Sequence, residues 1–343
     1  NGFRDREHMR AAVSSRDAAL SGFDRARQQV SFDVAQTFYQ VVLDRRLVAV
    51  AKANLDLSQT RQTQIEEQIR AGTRAPPELY RQQAQTRADE VALIDANNRE
   101  RNDEAVLLRR LEVDPLKPSR IIEPAVDTTR IPAESLDVTL LVADAQRARP
   151  DLVASRDKVE ADAHALREAN GELLPKVGLS FSYINQSRVF GRETINGVDQ
   201  LNTSQRPLGQ QLGTQGLGMV SLGLSWDVFD DYRARLDAER AQAAQSRDRV
   251  ATQDLSLRIA GEVQQAVGDY HSAEQKLVST EAGLEAAQQA YDAMAARYDV
   301  GLATFVDVLS AQTTLTQSRA LREQALINFE LQKAVLRYVR GQN

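Results

Sequence analysis

Apolar residues recur at seven-residue intervals along much of the chain, and prolines avoid the same stretches. Val48, Leu55 and Ile69 lie in one such row, which is typical of helices that pack side by side. All 9 prolines lie between positions 76 and 207, and proline interrupts helix interiors. The pattern therefore predicts helices at residues 5–71, 77–113, 136–147, 150–173, 230–300 and 303–340.

The two longest predicted helices, 5–71 and 230–300, exclude an ordinary compact domain. Each runs for about 70 residues, or roughly 100 Å at about 1.5 Å per residue. Helices of this length cannot all wrap around one globular core. The alternative is a set of surface helices on such a core. Ala, Gln and Thr dilute the apolar rows, so we expect helix contacts through small side chains.

The two halves of the chain match each other. Leu55 corresponds to Leu284 and Gly72 to Gly301 at an offset of 229 residues, while Tyr39 fits Tyr270 at 231. Such ordered matches indicate an internal duplication. Each repeat is predicted to be a long helix, a turn at its glycine and a shorter returning helix, because glycine commonly ends a helix in a left-handed conformation.

Alternation with a period of two replaces the helical pattern at residues 176–183 and 219–228. Apolar side chains there alternate with Gly, Ser and other polar residues, which predicts two paired strands with one apolar face. Two strands alone are marginally stable. The pair therefore either packs on helices or joins a larger sheet that crosses a bilayer. We expect a matching strand pair upstream of residue 1 in the first repeat.

Composition excludes several function classes. The 343 residues include no Cys, which excludes disulfides and thiolate chemistry. A net charge of −5 gives no reason to expect nucleic acid as a partner. No apolar run approaches the roughly 20 residues of a membrane-spanning helix. The 3 His residues lack metal-ligand spacing, so we predict no metal site, no cofactor and no enzyme activity.

Several short motifs resemble the TolC family of bacterial outer-membrane channel proteins. Residues 297–301, Arg-Tyr-Asp-Val-Gly, followed by 307–312, Asp-Val-Leu-Ser-Ala-Gln, resemble the family's hairpin-tip motif. Residues 149–152 resemble the start of the helix that leads to its second β-hairpin. Residues 174–175 and 226–230 resemble the two edges of that hairpin. The motifs occur in the family's order, and the resemblance extends over essentially the whole chain.

The resemblance implies a mainly α fold, with two long αα-hairpin repeats in a trimeric α-barrel and a β-hairpin in a shared transmembrane β-barrel. It implies five divisions of the chain. A first helical repeat at residues 1–114 is followed by a connector at 115–148 and a helix at 149–175. The β-hairpin with its long polar loop occupies residues 176–229, and a second helical repeat occupies 230–343.

The resemblance also implies a function and partners. The chain would be a homotrimeric passive duct for efflux or type I secretion, in the outer membrane with a large periplasmic portion. Its partners would be outer-membrane lipid, a periplasmic adaptor protein and an inner-membrane pump. A periplasmic coiled-coil scaffold or adaptor without a pore is the alternative, and the alternating strand pair is the feature that argues against it.

The resemblance assigns a gate to the helical tips. Gly72 and Gly301 are the tip turns. Asp307 resembles an acid of the family's constriction, and Ser310 stands where the best-known member has a second acid. A ring of Asp307 side chains around a threefold axis would attract cations. The alternative is an ordinary acid at a helix N-terminus, favoured by the helix dipole.

Other residues match positions of contact in the family. Tyr298, Glu78 and Arg74 match residues that link the two hairpins at their tips, whereas Ala303 replaces an arginine of the family pattern. The alternatives are that Tyr298 only packs and that Glu78 is a helix N-terminal acid. Three aromatic residues are candidates for the barrel's interface with lipid headgroups, against ordinary buried or loop positions: Trp226, Tyr183 and Phe181.

Overall fold

The computed structural model describes residues 3–114, 117, 121–123, 129–185, 193–200 and 216–342. A 3-10 turn at Ala133–Leu136 precedes the helix that begins at Val138. None of the described helices is both long and apolar enough to cross a lipid bilayer. In chain order, the helices are α1 (Arg4–Arg70), α2 (Pro76–Arg110), α3 (Val138–Ala148), α4 (Pro150–Gly171), α5 (Arg233–Asp299) and α6 (Phe305–Val339).

The helical duplication is visible in the helix bounds. Helices α1 and α5 each have 67 residues, and α2 and α6 each have 35. Both long helices begin 229 residues apart (233 − 4), as do both returning helices (305 − 76). The offset of 231 that some sequence matches suggested does not occur at these ends. A mainly α fold is therefore confirmed.

The two long helices end in the same way. Gly72 and Gly301 have φ values of 73° and 79°, a left-handed conformation that glycine adopts without steric cost. In the first turn the Thr73 amide donates to the Gln68 carbonyl at 3.0 Å, and the corresponding bond closes the second turn. These bonds satisfy carbonyl groups at the helix end, so each glycine sets the direction of its returning helix.

The chain forms two compact units. The first comprises residues 1–17 and 156–250, and the second comprises residues 18–155 and 251–343. In the second unit, apolar side chains of α3 to α6 form one cluster around Tyr270 and Phe329. A smaller cluster lies near the helical tips and contains Ile65, Ala287, Tyr291, Tyr298, Phe305, Val308 and Leu315.

The described parts of the predicted connector 115–148 lie against long helices of the second unit. Arg45 of α1 donates to the Ile121 carbonyl at 2.7 Å. The Ile131 amide donates to the Tyr270 hydroxyl at 2.8 Å. Because both contacts satisfy backbone groups, they fix the path of this segment across α1 and α5.

The strands lie in the first unit. β1 (Lys176–Asn185) pairs antiparallel with β4 (Gly216–Ser225), and Lys176 lies opposite Ser225. In the sequence between these two strands, β2 (Glu193–Ile195) pairs with β3 (Val198–Gln200) in a separate sheet. Much of the predicted polar loop, residues 186–192 and 201–215, lies outside the described residues.

The predicted second strand, 219–228, extends too far. β4 ends at Ser225, so Trp226 lies beyond it. The next residue of the partner strand is Pro175, which has no N–H to continue the ladder. The Trp226 indole N–H instead donates to the Leu173 carbonyl at 3.2 Å.

Candidate functional site

Tyr298, in the last turn of α5, connects the two repeats at their tips. Its side chain is only 2% exposed, and its hydroxyl donates to Glu78 Oε2 in the first turn of α2 at 2.6 Å. Burial, together with the hydrogen bond to the Glu78 carboxylate, raises the pKa of Tyr298. The hydroxyl therefore stays protonated and acts as a donor at neutral pH.

Arg74 completes this contact from the turn between α1 and α2. Its guanidinium donates to Glu78 Oε2 at 3.1 Å and to the Tyr298 carbonyl at 2.9 Å. It also lies over the Tyr298 ring, 3.6 Å from the ring centroid, a favourable cation–π geometry. The structure thus brings together the three residues predicted as tip contacts, and their role in gating stays a prediction.

Asp307 is placed differently. It is exposed on the first turn of α6, and its Oδ2 accepts from the Thr304 amide at 2.9 Å and from the Thr304 hydroxyl at 2.7 Å. The Thr304 oxygen in turn accepts from the Asp307 amide at 3.2 Å, which completes a capping box. Hydrogen bonds from the Thr304 side chain and backbone lower the pKa of Asp307. Ser310 is also exposed, one turn further along α6.

The same repeat position is used in two ways. Glu78 and Asp307 are each the third residue of a returning helix. Thr304 caps α6, whereas Ala75 has no side-chain cap to offer α2. The Glu78 carboxylate instead bonds to Tyr298 of the other repeat and to Arg74, whose counterparts at the offset of 229 are Ile69 and Ala303.

A buried polar group near the tips was missed by the sequence analysis. Ser58 of α1 is 0% exposed. Its hydroxyl donates to Asp89 of α2 and accepts from the Gln312 amide of α6 at 3.0 Å. The Ser58 carbonyl accepts from Gln82 at 3.0 Å, and Asn54 Oδ1 accepts from the same Gln312 amide at 3.2 Å. We call these five residues the Ser58 clasp.

One signal for the clasp was available. Ser58 lies in a sevenfold row with Ala51 and Ile65, a position at which the pattern predicts an apolar residue. A polar residue at such a core position needs partners from neighbouring helices. The sequence does not tell which helices supply them.

The strand pair carries the second set of predicted residues. Its register places seven apolar side chains on one face, and each is between 58% and 75% exposed. The opposite face carries two paired glycines and a Ser180–Ser221 hydroxyl contact of 2.7 Å, followed by the exposed apolar side chains Met219, Ile184 and Leu217. Phe181 and Tyr183 thus share the apolar face, which consists of Val177, Leu179, Phe181, Tyr183, Val220, Leu222 and Leu224.

The histidines do not gather into a site in the described ranges, where no group of three or more potential metal ligands occurs. His164 is buried in the first unit, and its Nδ1 lies 2.6 Å from Glu7 Oε2. The hydrogen bond with His164 is the main cause that lowers the pKa of Glu7 to about 2. This pair joins α1 to α4, which is a packing role.

Comparison with known proteins gives a family match and distant relatives. The model of the family described as "Outer membrane efflux protein" matches residues 141–337. Pyoverdine export outer membrane protein OpmQ of Pseudomonas aeruginosa is 23% identical over 308 residues, which cover 89% of this chain and 60% of that protein. Outer membrane efflux protein BepC of Brucella suis biovar 1 is 22% identical over 331 residues, covering 95% and 66%. The chain thus spans 60% to 66% of the length of these curated relatives.

Solved structures share the fold. The outer membrane protein VceC of Vibrio cholerae superposes with a TM-score of 0.82 at 20% identity, over 100% of this chain and 77% of that one. The open state of the MtrE outer membrane channel of Neisseria gonorrhoeae gives a TM-score of 0.80 at 14% identity, over 99% and 72%. At 20% and 14% identity, this likeness shows only that the arrangement of helices and strands is shared.

Proposed function

The chain belongs to the outer membrane efflux protein family, and we propose that copies of it form the outer-membrane duct of a tripartite efflux or type I secretion system. The proposed duct is passive, and we assign it no catalytic step. The observation that carries the proposal is the strand pair β1–β4, whose seven apolar side chains are all exposed on one face.

An uncovered apolar face of this kind is unfavourable in water, at about 25 cal/mol for each Å² of apolar surface. Lipid removes that cost. The part of the opposite face with Gly178, Ser180, Ser221 and Gly223 has only small side chains, which suits the inside of a narrow barrel. The outer edges of β1 and β4 need further strands beside them, because unpaired backbone groups are costly in a bilayer.

Exposed apolar rows on the long helices support association between copies, for which we propose the homotrimer that the family resemblance implies. Exposed apolar residues on α5 are separated by multiples of seven, and exposed residues on α1 follow the same spacing. Such rows fit helices of neighbouring copies side by side. They are Leu236, Val250, Leu257 and Val278 on α5, and Met9, Phe23 and Val30 on α1.

Export and its partners follow from the relatives. OpmQ is named for pyoverdine export and BepC for efflux, so we propose that this chain also exports solutes. A passive duct has no energy source of its own. We therefore propose a periplasmic adaptor and an inner-membrane pump as its partners, with the long helices crossing the periplasm.

The tips are the proposed gate. Tyr298, Glu78 and Arg74 would hold the two repeats together in the closed duct, because their bonds join the end of α5 to the start of α2. Three copies of Asp307, each followed by Ser310, would line the constriction. The lowered pKa of Asp307 keeps it anionic, so the ring would favour cations. Asp307→Asn should then reduce cation selectivity in single-channel recordings.

A pair of lysine substitutions tests the duct. Leu179→Lys places a charge on the apolar face of β1, at a cost of about 2–4 kcal/mol in mid-membrane. Ser180→Lys places the same charge on the opposite face and is the matched control. We expect Leu179→Lys to abolish insertion and ion conductance in planar bilayers, while Ser180→Lys inserts and conducts with altered selectivity.

The mass of the assembly in detergent gives the second readout. A trimer that conducts ions supports the duct. A water-soluble monomer or dimer in which the two lysine variants behave alike would support the periplasmic scaffold instead.

A further inference from the structure

Every side chain of the Ser58 clasp is hydrogen-bonded, and Ser58 is its centre. A hydroxyl has one donor and two acceptor sites, and this one serves Asp89 on one side and Gln312 on the other. Asp89 Oδ1 also accepts from Gln85 at 3.0 Å. The clasp thus joins both returning helices, α2 and α6, to α1 through one side chain.

The fold does not require a polar contact at this place. In the second repeat, the counterpart of Ser58 belongs to the apolar cluster near the tips, and the counterpart of Gln82 packs against it. At these two positions the second helical hairpin has apolar packing where the first has hydrogen bonds, and its own hydrogen bond runs beside them, from Arg319 to Gln288 at 2.8 Å. At the offset of 229, Ser58 corresponds to Ala287, Gln82 to Ala311 and Thr86 to Leu315.

The two kinds of contact respond differently when helices separate. An apolar contact resists separation in proportion to the area exposed to water. Buried hydrogen bonds can be exchanged for bonds to water at a small net cost, provided that water enters. While they are intact, their directionality fixes one register between the helices.

We infer that the Ser58 clasp is a release contact, which fixes α2 and α6 on α1 while the tips are closed and exchanges its hydrogen bonds for water when these helices part. The inference rests on the proposed function, because a static scaffold has no need for helices that separate. The residues that carry it are buried within the second unit and lie outside the Tyr298 contact.

Two variants are expected to change the rate of amide exchange near the clasp in opposite directions. Ser58→Ala leaves Asp89 and Gln312 without their shared partner, so amides of residues 80–90 should exchange with deuterium about tenfold faster. A quadruple variant gives four positions of the first repeat the residues of the second repeat, and it should slow exchange below the wild-type rate. It is Ser58→Ala, Gln82→Ala, Thr86→Leu and Asp89→Ser.

Thr60→Ala, which removes an exposed hydroxyl from the same helix, is the matched control and should leave exchange unchanged. A double-mutant cycle of Ser58→Ala with Gln312→Ala measures the coupling without building an apolar contact. Strictly additive effects in that cycle would overturn the inference. The inference would also be overturned by equal exchange rates in Ser58→Ala and Thr60→Ala. A change of the exchange rate in the same direction in Ser58→Ala and in the quadruple variant would overturn it as well.

Conductance separates this inference from the duct itself. Ser58→Ala should lengthen the open times of the channel in planar bilayers, and the quadruple variant should shorten them. A wild-type assembly that never conducts would refute the duct, and with it the release role. A wild-type assembly that conducts, with equal open times in Ser58→Ala and Thr60→Ala, would overturn the release role alone.

Discussion

The Tyr298→Phe substitution removes one oxygen atom from the contact between the repeats. The lost bond to Glu78 spans 2.6 Å and has a charged acceptor, a class that contributes about 1.5–3 kcal/mol. Glu78 keeps its ion pair with Arg74 at 3.1 Å, and its side chain is 33% exposed. Because water and Arg74 remain as partners, we expect a cost near or just below the lower end of that range, about 1–2 kcal/mol, or roughly 5- to 30-fold in the local opening equilibrium.

Native-state hydrogen exchange of the amides at residues 80–84 measures this equilibrium in the assembled protein. These amides lie in the second turn of α2, directly after Glu78. Tyr80→Phe is the matched control, since Tyr80 lies on the same helix and is 67% exposed. We expect faster exchange in Tyr298→Phe and no change in Tyr80→Phe.

A double-mutant cycle with Glu78→Gln isolates the bond itself. Partners in direct contact normally show coupling of about 0.5–3 kcal/mol. Coupling below about 0.5 kcal/mol, or equal exchange in both phenylalanine variants, would refute the reasoning that this bond holds the tips together.

Four further substitutions test other parts of the fold. Gly301→Ala should destabilise the protein by about 1–2 kcal/mol because φ is 79° there, whereas Gly268→Ala, in open space on α5, should stabilise it by up to about 1 kcal/mol; thermal unfolding compares the two. Leu315→Ala should cost about 2–5 kcal/mol in the same assay, since Leu315 is buried in the tip cluster. Burial and the Asp103 carboxylate raise the pKa of Asp44 from 3.8 to about 6, so folded Asp44 holds its proton more tightly than unfolded Asp44. The unfolding free energy should therefore fall as pH rises from about 4 to about 6, and Asp44→Asn, followed by denaturant titration across this range, should remove that slope.

The helices could be predicted from the sequence because their signals are local. Prolines at 76 and 77 mark the start of α2, and Gly72 and Gly301 mark helix ends through their backbone freedom. The end of β4 was predicted wrongly for a reason that alternation cannot reveal. Apolar residues continue to alternate as far as Val228, but the ladder stops where the partner strand reaches Pro175.

The candidate site was predictable only in part. The family resemblance drawn from the tip motifs is confirmed by the family match over residues 141–337. The capping box of Thr304 and Asp307 has a readable sequence signature, a threonine followed three residues later by an acid. The Ser58 clasp has no such signature, because Asp89 and Gln312 reach Ser58 from 31 and 254 residues away.

The duplication explains why the tips differ although their helices do not. The two repeats share their glycine turns and their helix lengths, but copying a segment sets no contact between repeats. At the third position of a returning helix, a carboxylate can bond to its own helix cap or to a distant side chain. With Thr304 as the cap, Asp307 bonds locally, and with Ala75 in that place Glu78 bonds to Tyr298. The connection between the repeats therefore depends on the cap residue and on the distant partners together, since the counterparts of Tyr298 and Arg74 are Ile69 and Ala303.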